Sequence, residues 1–162
     1  MSPLRLTIHA LPTLRRWFWI GPPLGLMVLI FLLGTNAAGA GETRSLLARL
    51  LRFFAPGLYQ GLSPETFHLL NIVFRKTGHF CGYALLGILN ARAWLGLRGT
   101  FNRQGAGWSW SATVAWAAVD EFHQLFSSRR GGSARDVALD ALGAAAGILL
   151  YSLWKQHTHR NR

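Results

Sequence analysis

Three short polar islands interrupt an otherwise apolar chain, and each carries residue types that do chemistry. The first holds Arg75, Lys76, His79 and Tyr83; the second holds Asp120, Glu121, His123 and Gln124; the third holds Arg129, Arg130, Arg135, Asp136 and Asp140. Guanidinium and ammonium groups grip phosphate or carboxylate, arginine in a bidentate geometry. Imidazole titrates near neutrality, which makes His79 a candidate base or proton shuttle. A carboxylate such as Glu121 serves as a general acid or base, or anchors nearby arginines. Two chemistries follow. One is binding of an anionic group, with Lys76 and Arg130 as contacts and Asp120 and Asp136 orienting them. The other is acid–base catalysis through His79 or Glu121. His79, Asp120, Glu121, His123 and Asp136 are also suitable nitrogen and oxygen ligands. Their spacing matches no metal signature such as H-E-x-x-H, so no metal and no other cofactor is expected.

The elements that must position these islands are membrane helices. Of 162 residues, 51% are hydrophobic and 14% are charged, where a soluble domain carries about 25% charged residues. Mean hydropathy is +0.23. Seventeen Lys and Arg against six Asp and Glu give a formal net charge of +11. Such an excess would suit nucleic acid, but the basic residues are dispersed around apolar runs instead of forming one soluble patch, which argues against that partner. The single cysteine, Cys81, rules out an internal disulfide framework and reads as a small buried apolar residue.

Spanning a hydrocarbon core of about 30 Å takes roughly 20 apolar residues. Four windows qualify: Trp17 to Thr35, His79 to Leu97, Trp108 to Phe126 and Val137 to Trp154. Pro22-Pro23 is expected to bend the first, because proline removes a helix donor. Arg92 interrupts the second. The third ends in Asp120 and Glu121 and is the least lipid-like. Tyr151 and Trp154 close the fourth as interfacial aromatics. Residues 43–77 read as an outer segment lying on the membrane. Leu46, Leu47, Leu50, Leu51 and Phe54 recur there at helical spacing opposite Ser45, Arg49 and Arg52. Pro56-Gly57 supplies a break, and a second helix starts with Ser63 as N-cap, Pro64 in the first turn and Glu65 at the positive helix end. The expected fold is one all-α domain over residues 1–162, an integral membrane four-helix bundle with an amphipathic interfacial segment between its first and second spans.

Antiparallel spans bring the three islands to one side of the membrane, where all six acids lie. Lys76, His79 and Tyr83 share a helix face at i, i+3 and i+7. Asp120, His123 and Gln124 share a stripe, while Glu121 points about 100° away from Asp120. Asp120 sits roughly 9 Å inward of the end of the third span. An ionised carboxylate at the centre of a span costs about 2.5–3.5 kcal/mol and less near the interface. Asp120 and Glu121 are therefore expected to face the bundle or a wet cavity, neutralised by Lys76 or a loop arginine. A structural explanation competes with a functional one, because Lys76 and the three loop arginines balance the acids at 120, 121, 136 and 140, as a self-satisfied ion-pair network would. Gly143 and Gly147 form a small-residue stripe that marks close helix contact.

Basic residues fall evenly on the two sides of this topology, so the count does not orient it. Arg5, Arg15 and Arg16, with no acid before Glu42, place the N- and C-termini in the cytoplasm. A competing reading takes residues 1–40 as a secretory signal, since Ala38-Gly39-Ala40 resembles a cleavage site. Residues 42–77 are outside in either case.

The islands together resemble the VanZ-like family, membrane proteins named for a teicoplanin-resistance factor. Arg75-Lys76-Thr77-Gly78-His79-Phe80-Cys81-Gly82-Tyr83 is similar to the family's K-x-x-H-F-x-x-Y pattern. Asp120-Glu121-Phe122-His123-Gln124, followed by Arg130, Gly132, Ser133, Asp136, Asp140 and Gly143, is similar to its D-E-x-x-Q, R-x-G-S-x-x-D and (D/N)-x-x-G series. The resemblance covers residues 70 to 154. Ser128-Arg129 stands where many members have Pro-Gly, and Gly82 where many have an acid. The resemblance implies a multi-pass protein of the cytoplasmic (inner) membrane with an envelope function, associated with glycopeptide tolerance. Its binding residues would be Lys76, His79, Tyr83, Asp120, Glu121, Gln124, Arg130, Ser133, Asp136 and Asp140. The expected ligand is a membrane lipid or envelope precursor with an anionic head group. The alternative is an intramembrane enzyme acting on a lipid-linked phosphate.

Overall fold

A computed structural model describes residues 12–34, 40–125 and 133–160. They form α1 (Pro12–Gly34), α2 (Ala40–Phe54), α3 (Pro56–Gly61), α4 (Pro64–Arg98), α5 (Arg103–Leu125) and α6 (Ala134–Arg160), with no strand among the described residues. Of these, α1, α4 and α6 are long and apolar enough to cross a membrane. The described residues form an all-helical fold of membrane type.

The third expected span, α5, has the length, 23 residues, but not the hydropathy, because Ser109, Thr113, Asp120, Glu121 and Gln124 occupy its buried face. Its Trp108, Trp110, Val119, Phe122 and Leu125 are exposed. Among the described residues, buried polar groups and exposed leucines extend beyond α5. Asn71, Asp120, Glu121 and Asp140 are inside, while Leu29, Leu33, Leu142, Leu149 and Leu150 are exposed. Contiguous exposed leucine over a polar interior is unfavourable in water and suited to lipid.

The start of α4 follows its local chemistry. Ser63 Oγ accepts the Thr66 N–H at 3.2 Å, Pro64 opens the helix and Glu65 lies in the first turn. The helix then continues past the expected boundary near residue 77. It runs for 35 residues, about 52 Å, so the expected second interfacial helix and the second span are one rod. No proline follows Pro64 within it, and Gly78 and Gly82 keep helical geometry. It ends where Gly99 turns left-handed, φ 75°, and its N–H bonds the Leu95 carbonyl at 2.8 Å. Likewise α1 stays helical through Pro22 and Pro23. Outside the bundle, Arg52 lies over the Tyr59 ring at 4.8 Å and donates to its hydroxyl at 2.9 Å. Tyr59 meets Phe67 edge-on at 5.9 Å, and Arg44 stands over Phe67 at 5.4 Å, which fastens α2 and α3 to α4.

Within the bundle α4 and α6 approach backbone to backbone. A β-carbon on Gly87 would lie 2.7 Å from the Ala144 carbonyl oxygen, and Gly143 and Gly147 abut the backbones of Phe80 and Ala84. The small-residue stripe makes the helix contact that its spacing announces. Tyr83, Leu86 and Ala117 close the core between α4 and α5. Arg92, the charge within the apolar stretch of α4 after His79, is held 5.0 and 4.9 Å from the rings of Phe18 and Trp19 on α1, a cation–π arrangement that offsets its desolvation.

Candidate functional site

Three successive inward positions of α4 each meet an acid. Lys76 forms an ion pair with Asp136 at the start of α6. His79 Nδ1 lies 3.6 Å from Asp140 Oδ1, one turn further along α6. The Tyr83 hydroxyl donates to Asp120 Oδ2 of α5 at 3.3 Å. The i, i+3, i+7 face of α4 is thus the spine of the cluster, and the Gly143 contact beside it sets its spacing from α6.

The α5 acids diverge as a turn of about 100° requires. Asp120 turns toward α4 and α1. Its Oδ2 also accepts from Gln124 Nε2 at 3.0 Å, and its Oδ1 lies against Gly34, where a β-carbon would come within 2.6 Å. Glu121 turns toward α6 and accepts the Ser133 N–H at 2.7 Å. Ser133 Oγ in turn accepts the Arg135 N–H at 3.2 Å, in the manner of an N-cap for α6. His123 leaves the acids and packs, tilted by 31°, against Phe31 of α1 with ring centroids 4.2 Å apart. The rings of His79 and Tyr83 are nearly parallel, 20° apart, with centroids at 6.5 Å.

Asp120, Glu121 and Asp140 are 1%, 5% and 0% exposed. Neither oxygen of Asp140 has a hydrogen-bond partner among the described residues, and Asp120 Oδ1 has none either. Among the described residues, Lys76 with Asp136 is the one pairing of Lys or Arg with a carboxylate. Arg135 is exposed, and Arg129 and Arg130 lie outside the described residues. Of the sequence-predicted site, the structure brings together Lys76, His79, Tyr83, Asp120, Glu121, Gln124, Ser133, Asp136 and Asp140.

Beside this cluster a cavity of about 640 Å³ opens between α1, α2, α4 and α5. Its walls include Ile30, Leu33, Leu46 and Phe74; Arg49, Arg75 and His79 contribute cationic or titratable groups, and Tyr83 and Asp120 also line it. The amphipathic periodicity of α2 places Arg49 on a polar face but gives no sign that this face borders the cluster. Cys81 also lines the cavity and is exposed, not buried as its residue type suggests. Deeper in the bundle, Asn90 Nδ2 donates to Thr113 Oγ1 at 2.9 Å, a contact for which two isolated polar residues in apolar runs were the only signal.

The family model described as VanZ/LLP1 matches residues 19–155, from within α1 to the last turns of α6. No curated protein and no solved structure matches the chain.

Proposed function

The chain belongs to the VanZ/LLP1 family, and from that premise we propose that it recognises an anionic envelope lipid or lipid-linked precursor at the outer face of the cytoplasmic membrane. The observation that carries this reading is the cavity. Apolar walls from Ile30, Leu33, Leu46 and Phe74 suit acyl or prenyl chains, and Arg49 and Arg75 suit a phosphate or carboxylate head group. Lys76 is committed to Asp136, so the anion contacts fall to Arg49 and Arg75, joined by Arg130 from the loop. Tyr83, Asp120 and Gln124 form the hydrogen-bonded base against which the head group is oriented. In this reading α5 crosses the membrane as a fourth span, shielded by its neighbours on the polar side, α2 and α3 lie at the outer surface, and both termini are cytoplasmic. Glycopeptide tolerance is one phenotype this recognition would affect.

The test is mass spectrometry of lipids retained by detergent-purified wild type, Arg75→Glu and Arg49→Glu that elute as the same particle. Selective loss of one phosphate-bearing lipid class from the variants is the expected result. An identical lipid complement in all three would overturn the reading.

A second reading has one observation in its favour. His79 lines the cavity with Asp140 behind its Nδ1, the arrangement of an oriented general base acting on a lipid-linked phosphate. Glu121, tied to the Ser133 N–H, is the weaker base. Turnover of a lipid-linked phosphate that His79→Gln abolishes would establish the enzyme; its absence would leave binding.

A further inference from the structure

The spacing of His79, Glu121 and Asp140 along the chain matches no metal motif, yet helix packing brings one ligand atom from each to within 4.8 Å of the others. Each comes from a different helix: α4, α5 and α6. We propose that these residues form a site for one divalent transition-metal ion, with zinc as the best fit. One imidazole and two carboxylates are a nitrogen and oxygen donor set typical of zinc, whereas magnesium prefers oxygen alone.

Four observations support this assignment independently of the donor types. Asp140 is fully buried, and both of its oxygens lack a hydrogen-bond partner among the described residues. A buried polar group in that condition is costly unless something fills the space it faces. The 3.6 Å between His79 Nδ1 and Asp140 Oδ1 is close to the roughly 3.4 Å between two ligands of a tetrahedral centre with bonds of about 2.0–2.1 Å. Among the described residues no lysine or arginine pairs with Glu121 or Asp140, since Lys76 is paired with Asp136. A divalent ion with neutral His79 would balance the two carboxylates in their ionised form. Finally, the Ser133 N–H holds Glu121 Oε2, which fixes that carboxylate from behind and leaves its other oxygen for the metal, as orienting partners do in metal centres.

His79 also lines the cavity, with its side chain 20% exposed. The cavity therefore offers an ion a path to the His79 side of the site. The site does not rest on the lipid reading, because metal is counted directly and lipid does not enter the readout.

The experiment uses full-length, untagged protein in detergent, stripped with a chelator, reloaded with Zn²⁺ or Mg²⁺ and desalted before elemental mass spectrometry and calorimetry. Wild type is expected to retain about one zinc per chain, in keeping with a single three-ligand site, and no magnesium. Asp140→Asn and Glu121→Gln should weaken zinc binding by about tenfold or more. The variant His157→Gln/His159→Gln, which removes imidazoles from the tail, should bind as wild type. Substoichiometric zinc in wild type, or loss of binding in the tail variant, would overturn the proposal. So would undiminished binding in Asp140→Asn. If the two acid variants do not elute as the wild-type particle, His79→Gln decides, since its side chain reaches the cavity; unchanged affinity there overturns the site.

Discussion

Gly143 of α6 sits so close to α4 that a β-carbon on it would fall 2.5 Å from the carbonyl oxygen of Phe80. Phe80 follows His79, and Gly143 lies three residues after Asp140, so one backbone contact fixes both the helix seam and the separation of the His79–Asp140 pair. The polar cluster therefore depends on a glycine that carries no chemistry of its own.

Gly143→Leu should push α6 away from α4, because a backbone carbonyl cannot swing aside as a side chain can. Overpacking of this kind costs about 1–3 kcal/mol, read as a shift in the denaturation of the protein in mixed detergent micelles. Gly78→Ala on the exposed side of α4, where an added β-carbon meets nothing within 4 Å, should not lower the transition and should raise it slightly, because alanine favours the helix over glycine. Equal effects of the two would show that the seam is not specific.

The Lys76–Asp136 pair predicts a charge-exchange result. Lys76→Glu places a third acid beside Asp136 and Asp140 and should destabilise, whereas Lys76→Glu combined with Asp136→Lys should recover most of the loss. The Lys76 side chain is 42% exposed and that of Asp136 22%, so solvent screening keeps the coupling in a double-mutant cycle to about 1 kcal/mol. Additive single effects would mean that the pair contributes no coupling.

Cys81 supplies a native probe of the cavity, being the single cysteine of the chain, exposed and part of the lining. A small neutral maleimide should label it in detergent without any engineered residue. Adding the lipid that the cavity selects should slow labelling, while a zwitterionic lipid of equal chain length should not. Equal protection by both lipids would remove the cavity from consideration as the binding place.

Much of this site was legible from residue types and helical period. Lys76, His79 and Tyr83 reach Asp136, Asp140 and Asp120 because positions i, i+3 and i+7 share a face, and Asp120 and Glu121 part company because adjacent residues must. Ser63 and Pro64 announced a helix start through chemistry local to four residues. The end of α4 was legible too, since the expected span stops at Leu97 and the helix at Arg98, but its continuity was not; the expected boundary near residue 77 rested on where polarity falls, and polarity marks a membrane surface without ending a helix. Counting cations against acids suggests a closed ion-pair network; among the described residues Lys76 meets Asp136, while Glu121 also takes a backbone N–H and Asp120 takes Tyr83 and Gln124, partners that carry no charge to count. Gly34 against Asp120, and the convergence of His79, Glu121 and Asp140, depend on which helix neighbours which, and local periodicity carries no such information.

The Asn90–Thr113 contact tests whether α5 is fixed to α4 by a specific polar bond in the apolar part of the bundle. Thr113 Oγ1 donates to the Ser109 carbonyl at 2.8 Å and accepts from Asn90 Nδ2 at 2.9 Å, and it is fully buried. Its single hydroxyl therefore links the α5 backbone to α4. Thr113→Val keeps the shape and removes the acceptor, leaving the Asn90 amide without that partner. Interhelical hydrogen bonds in membranes average about 0.6 kcal/mol and reach about 1.7 kcal/mol, because the separated helices also find partners. A double-mutant cycle of Thr113→Val and Asn90→Ala should give a coupling in that range, and Thr113→Ser, which retains the hydroxyl, should keep most of it. Coupling indistinguishable from zero would mean that α5 is held by packing alone, with Trp116, Ala117 and their neighbours setting its position.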